Sequence, residues 1–263
     1  MKQFSISFAH RRILQRIDVL RQLVDRDMKI LYKRSMLGVA WTLINPLLQL
    51  VVFAFVFQVV LPSNVLKYAS FTFTGLLVWN WFQGSLLQAT GVIIANRALI
   101  RQPGFPSAIL PVVTTATGLI HFLLALPVLL GFLLLDGVQI TPVVLLLPLL
   151  QVIQFLLIIC CAYFLAALNV TFRDIQHTLG IVLTLIFYLT PIFYDIRHLP
   201  SNYQVFYNMN PMVHLVKAYR AILMEGTFPN LQPLFILTVI VGLGLPIGLR
   251  VFRHQSVRFV EDL

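Results

Sequence analysis

Charge is scarce in this sequence. Only 11% of its 263 residues are Asp, Glu, Lys or Arg, 59% are apolar, and the mean hydropathy is +0.89. Soluble domains carry about 25% charged residues. So few charges cannot cover a surface against water, which leaves lipid as the medium for much of it. The length suits one bundle of about six spans, with no room for a separate soluble domain. The net charge of +10 lies in short segments between apolar runs rather than on one solvated face, which argues against a nucleic-acid partner.

Cysteine is almost absent as well. Cys160 and Cys161 are adjacent inside an apolar run, where helical neighbours point about 100° apart. They suit neither a bridge nor a zinc site and read as small packing residues. No cleavable leader is apparent: residues 1–35 hold nine Lys or Arg and no compact apolar stretch ending in a cleavage site. The first span is expected to act as its own insertion signal. The phosphate-cradling loop G-x-x-x-x-G-K-[ST] is missing, as are metalloprotease and serine-hydrolase motifs. No Asp, Glu, Lys or Arg stands well inside an apolar run; Asp136 and Asp195 sit at ends. Ion-driven carriers keep ionisable groups there for the coupling ion, so secondary transport is disfavoured. His121 is the interior exception, read as a hydrogen-bonded packing residue with pathway lining as the alternative. Energy for active transport would have to come from another polypeptide.

Apolar runs are what the chain does have. A span needs about 20 largely apolar residues. Six stretches qualify, at 37–60, 70–95, 107–135, 142–168, 177–194 and 231–251. Prolines 46, 111, 127, 148 and 246 fall within or beside them, where neighbours or water satisfy freed carbonyls. Glycines 242, 244 and 248 in the last run suit close helix packing. Alternate connections hold fifteen Lys or Arg against four, which places both termini in the cytoplasm. Asn169-Val170-Thr171 matches the glycosylation triplet, but on the cytoplasmic side it is a chance match.

Two further segments stand out. Ile13, Ile17, Leu20, Val24, Met28 and Leu31 recur at helical spacing, with Arg12, Arg16, Arg26, Lys29 and Lys33 largely off that stripe. A basic amphipathic helix over residues 1–35 is expected to lie in the headgroup plane, as an anchor or as a docking surface for a cytoplasmic partner. Residues 195–230 are too many for a tight turn and too apolar for a solvated loop. From Pro211 to Glu225 the pattern is helical, with Gly226 as a stop, which predicts short helices that dip into or cap the outer half of the bilayer.

Four stretches then carry a family resemblance. Arg26-Asp27-Met28-Lys29 leads through Gly38 into Trp41-Thr42-Leu43-Ile44-Asn45-Pro46. Asn169-Val170-Thr171-Phe172-Arg173-Asp174 follows the fourth run, Leu189-Thr190-Pro191-Ile192-Phe193-Tyr194 closes the fifth, and Asn210-Pro211-Met212 runs on to Tyr219-Arg220 and Gly226. Together, over nearly the whole chain, they resemble the transmembrane subunit of ATP-binding-cassette exporters for bacterial surface polysaccharides. The resemblance implies an all-α, six-span homodimer (36–252 in each subunit, with a tail at 253–263) in the cytoplasmic membrane. Two copies of a separate cytoplasmic ATPase would hold ATP and Mg, this chain would bind no cofactor, and a lipid-linked glycan would pass outward. A coupling segment falls at 96–106, with Asn96, Arg97, Leu99, Arg101, Phe105 and Pro106 as contacts, and outer gate helices at 195–225 include Pro211, Tyr219 and Arg220.

A hydroxyl-rich polymer needs a shielded path, because each unsatisfied polar group costs several kcal/mol in hydrocarbon. Sugar rings pair with aromatic faces, and Trp79, Trp81, Phe82, Tyr188, Phe193 and Tyr194 are expected near outer span ends or a little within them, as channel candidates. An interfacial aromatic belt is the alternative. Arg173-Asp174 reads as a local ion pair, an anchor or a gate contact. Competing functions are a drug or lipid efflux permease of the same class, a membrane-embedded transferase, and a passive channel subunit.

Overall fold

The computed structural model describes residues 2–33, 37–61, 65–196, 201–256 and 259, with side chains from residue 17 onward except Val39, residues 201–203 and Val205. These residues form helices and no strand. α1 (Lys2–Tyr32) precedes α2 (Trp41–Ala54), which continues as a π-helical stretch at Phe55–Val60. α3 (Tyr68–Ala95) leads through the short α4 (Arg97–Ile100) to α5 (Leu110–Leu135), α6 (Leu147–Thr171) and α7 (Ile175–Leu189). α8 (Ser201–Met209) and α9 (Pro211–Arg220), the latter extended by a π turn at Ala221–Glu225, connect to α10 (Leu231–Ser256).

Every expected apolar run contains helix, but among the described residues four stretches are long and apolar enough to cross a membrane: Trp41–Val60, Ser107–Leu135, Pro142–Thr171 and Leu231–Ser256. The run at 177–194 stops early. Thr190 takes the extended conformation that a following proline imposes, and α7 ends after 15 residues. α3 has the length, 28 residues, but Thr72, Thr74, Asn80, Gln83 and Gln88 dilute its hydropathy. The count of six therefore does not follow from length and apolarity.

α3 is nonetheless the central helix, packed against α5, α6, α2, α9 and α7. Its polar groups enter a low-dielectric interior because most are satisfied locally. Thr74 and Thr90 donate to the carbonyls of Ser70 and Leu86 (2.7 Å each), Ser70 Oγ donates to Asp136 Oδ2 (2.5 Å), and Gln154 of α6 donates to Val78 O (2.9 Å). Around them lies the larger core, with Phe73, Leu76 and Trp79 of α3, Phe122 of α5, Ile158 of α6 and Val216 of α9. A second core joins Leu23, Ile93, Ile100, Leu110, Tyr163, Phe252 and Phe259, so both chain ends and α4 share one end of the bundle, the terminal end.

The stripe expected on α1 divides. Leu20 and Val24 pack on the second core beside the buried Leu23, whereas Ile17 and Leu31 are exposed. One flank of the helix meets the bundle and the rest turns away from it. The side chains of Arg12, Ile13 and Arg16 lie outside the described residues. His121 makes the packing hydrogen bond expected of it, 2.7 Å from the Tyr32 hydroxyl at the end of α1.

Small residues set the helix spacing. A Cβ on Gly244 would lie 2.8 Å from Cys160 Sγ, and one on Gly248 2.9 Å from Phe164 Cε2, so α10 presses on α6 as expected, while Gly242 faces open space. Both cysteines are free. Where α5 meets α3, a Cβ on Gly118 would run into Ser85 Oγ and lie 2.8 Å from Trp81 Cδ1. Gly118→Ala is therefore expected to destabilise the protein by about 1–3 kcal/mol through overpacking. Gly84→Ala, with nothing within 4 Å, should be neutral or slightly stabilising; thermal unfolding in detergent compares the two.

Candidate functional site

At the distal end, opposite the termini, one buried side chain holds the connection between α7 and α10. Arg220 closes α9 and is only 6% exposed. Its Nε and Nη2 donate to Phe71 O (3.2 and 3.0 Å), Nη1 to Pro191 O (2.6 Å) and Nη2 also to Ile192 O (2.7 Å). The guanidinium carbon stands 3.3 Å above the Phe71 ring centroid. A buried cation costs several kcal/mol unless its donors are satisfied; here carbonyl dipoles and a ring face compensate it. Gly75 makes the room, since a Cβ there would lie 3.0 Å from Arg220 Nη2 and 3.1 Å from Ile192 Cα.

The same connection is stitched by Asn210. Its Oδ1 accepts from Met212 N (3.0 Å), capping α9, and its Nδ2 donates to Thr190 Oγ1 (3.0 Å). Pro211 starts α9 where no backbone donor is needed. Phe193 turns inward, stacking on Phe53 (4.8 Å) and Phe57 (5.0 Å) of the α2 arm and touching Phe187 and Tyr194. Tyr68 donates to Phe193 O (3.2 Å), and Tyr194 donates to Tyr188 O (2.8 Å).

Between α2, α3 and α5 runs a cleft of about 390 Å³. Amides and hydroxyls line it: Thr42, Asn45 and Gln49 from α2, and Asn80, Gln83 and Gln88 from α3. His121 joins them from α5, and among the described residues no Asp, Glu, Lys or Arg lines the cleft. Trp81 and Phe122, both buried, form its wall, with Trp81 Nε1 anchored on Thr115 O (3.2 Å).

At the terminal end, Arg26 of α1 donates from Nη2 to Asn96 Oδ1 (2.9 Å) while pairing with Asp27 (2.8 Å). Asn96 in turn donates to Val92 O (3.0 Å). Leu99, Ile100 and Phe105 pack on the second core, leaving Arg101 and residues 102–104 exposed. Gly104 adopts φ +79° at the turn, a conformation that favours glycine. Arg97 is half-buried, and its Nε has no hydrogen-bond partner among the described residues. Nearby, the buried Asn169 accepts from Gln176 N (3.2 Å) and so shapes the turn from α6 into α7.

The description "ABC-2 type transporter" matches residues 18–224, from α1 to the π turn after α9. The chain belongs to the ABC-2 type transporter family. It is 34% identical over 255 residues to the O-antigen export system permease protein RfbA of Myxococcus xanthus, covering 96% of this chain and 98% of that protein. A protein of the same name from Klebsiella pneumoniae is 31% identical over 249 residues, with coverage of 94% and 95%. The polysialic acid transport protein KpsM of Escherichia coli is 24% identical over 240 residues, 88% of this chain and 91% of that protein.

In this ABC-2 transporter the residues singled out from sequence fall into distinct surroundings. Arg26 and Asn96, taken from two separate segments, are hydrogen-bonded; Lys29 pairs instead with Asp25 (2.6 Å), and Lys33 is exposed. Trp79, Trp81 and Phe82 stand halfway along α3, not near a span end, and are buried together with Phe193 and Tyr219. Helix α3 is enclosed on several sides, so its bulky rings fill the subunit's own interior. Tyr188 is exposed, and Tyr194, Pro211 and Arg220 border a second, distal cavity. Arg173 and Asp174 are exposed and make no ion pair with each other. Sequence reasoning missed Gly75, Phe53, Phe57 and the capping duty of Asn169. The paired stretches Thr190-Pro191-Ile192 and Asn210 to Arg220 carried a usable signal, because they meet in space.

Arg220→Met should cost several kcal/mol, since each buried carbonyl left without a donor costs about 1–3 kcal/mol. Arg220→Lys should recover only part, because an ammonium cannot fork between the Phe71 and Pro191 carbonyls. The measurement is the unfolding temperature in detergent, with protease cleavage between residues 190 and 210 expected to appear before global unfolding.

Proposed function

We propose that this ABC-2 type transporter is the permease subunit of an exporter that moves a bacterial surface polysaccharide of the O-antigen or capsule class out of the cytoplasm. The observation that carries the cargo is similarity across almost the whole chain to O-antigen export permeases, 34% identity over 96% of it. The amide-rich cleft between α2, α3 and α5, with no charge among the described residues that line it, supports it. Amide and hydroxyl groups beside Trp81 and Phe122 suit the alternating hydroxyls and apolar faces of a sugar chain, and fixed charge would hold ionic ligands instead.

On this reading α2, α3, α5, α6, α7 and α10 are the six spans, with α8 and α9 returning into the outer half of the bilayer as a gate. Both termini are cytoplasmic, so the second core lies on the ATPase side. Two copies of the chain enclose the path, the cargo is lipid-linked, and two copies of a separate ATPase hold ATP and Mg. The segment from Asn96 to Pro106 receives the ATPase stroke, with Arg101 and the half-buried Arg97 offering positive charge. The Arg26–Asn96 hydrogen bond passes the movement to the interfacial helix.

Deleting the gene is expected to abolish the surface glycan and to accumulate its lipid-linked form in the cytoplasm; an unchanged glycan profile would overturn the cargo assignment. Charge reversal at Arg97 and Arg101 together should lower ATPase co-purification at least tenfold while membrane insertion stays normal. Retained association with normal export would remove the coupling role from this segment.

A further inference from the structure

Two side chains in the cleft between α2, α3 and α5 stand apart from the rest. Ser85 lines it and is only 2% exposed, yet its Oγ has no hydrogen-bond partner among the described residues. Thr74 and Thr90 on the same helix bond back to carbonyls one turn earlier, which Ser85 does not. Its Oγ lies instead against Gly118 of α5, at the place a Cβ would take. His121 follows three residues later, about one turn along the same face of α5, and also lines the cleft. Its Nε2 is already engaged, 2.7 Å from the hydroxyl of Tyr32, the last residue of α1 and 89 positions away in the chain. The two rings meet edge to face at 5.9 Å. Tyr32 is not itself a lining residue, so His121 stands between the cleft and the amphipathic helix.

We infer that a sugar hydroxyl entering the cleft binds between Ser85 Oγ and His121 Nε2 and displaces Tyr32, so that cargo in the cleft releases the end of α1. A hydroxyl both donates and accepts, as a serine and an imidazole can, whereas a carboxylate only accepts and an ammonium only donates. The exchange is favourable in number. The entering hydroxyl makes two hydrogen bonds for the one that is broken, and one of the two satisfies a buried oxygen that otherwise goes unpaired. Tyr32 loses little, because it is only half-buried and water can take its hydroxyl. Leu23 in the second core and Arg26 on Asn96 hold the preceding turns, so the part released is the stretch of α1 after Arg26. This contact pair rests on the polysaccharide reading proposed above, and adds to it a way for α1 to register an occupied cleft.

The test uses the full chain with its ATPase partner in lipid nanodiscs and follows amide hydrogen exchange by mass spectrometry. The probe is the lipid-linked glycan extracted from the deletion strain, with phospholipid alone as the control. Glycan should speed exchange over residues 27–33 about tenfold and leave residues 17–26 unchanged, as expected for local opening of one helix end. Tyr32→Phe should exchange at the faster rate with no glycan present. Ser85→Ala should need about tenfold more glycan for the same acceleration, without a fall in unfolding temperature, because no hydrogen bond within the chain is lost. Native-like slow exchange in Tyr32→Phe, an unchanged glycan response in Ser85→Ala, or acceleration by phospholipid alone would each overturn the proposal. Glycan that stays bound to the complex without faster exchange would overturn it too, and would leave the cargo reading standing. A complex that retains no glycan would count against the cargo reading and take this contact pair with it.

Discussion

The distal architecture depends on a buried guanidinium satisfied almost wholly by backbone carbonyls. Arg220 draws the carbonyls of Pro191 and Ile192, which lie outside any helix, and that of Phe71 at the start of α3 into one cluster. In a low-dielectric interior such bonds are strong when complete and costly when broken. This helps explain why a short, irregular segment can be positioned without a long apolar helix of its own. Gly75, Thr190 and Asn210 serve the same purpose: one leaves space, and the others close the connection through a side-chain hydrogen bond.

The central helix makes a related trade. α3 has the length of a span but is too polar to qualify as one by composition, yet it is the most enclosed of the long helices. Hydroxyls that bond back to their own helix can be buried at little cost, so Thr74 and Thr90 are compatible with the interior. Amides face the cleft instead, on a surface otherwise surrounded by apolar side chains, with Asn80 donating to Gln49 (3.3 Å) and Trp79 to Gln83 (2.6 Å). A polar surface inside an apolar bundle is the arrangement that transport of a hydroxylated polymer calls for. At the terminal end, α1, α4 and the ends of α5, α6 and α10 share one core.

Much of this was legible from the chain alone, for identifiable reasons. Helix at each apolar run, the close approach of Gly244 and Gly248, and the satisfied His121 all follow from local patterning. Other features were not legible. The stripe on α1 is apolar over a wider arc than one contact needs, so periodicity could not say that Leu23 would be buried and Ile17 exposed. Trp79, Trp81 and Phe82 read in sequence as channel or belt residues at an outer span end or a little within it, but the enclosing neighbours make them mid-helix core. The fifth apolar run is short in the sequence, and the proline at its end stops α7 at Leu189, which apolarity alone does not show.

By itself the sequence determined the medium and the energy source to be sought. Apolar content with few charges points to lipid, and the quoted motifs resemble those of permeases that a separate ATPase serves. Those conclusions depend on composition and short motifs, which do not change with the path of the chain. Tertiary structure decided which polar groups are spent and which are available. Arg220, Asn96, Asn169 and Gln154 look alike in sequence to Lys217, Asn45, Gln88 and Gln232. The first four are consumed by partners up to 149 residues away in the chain, and the second four border open cavities. Hydrogen-bond partnership of that reach is a property of packing, and no local pattern encodes it.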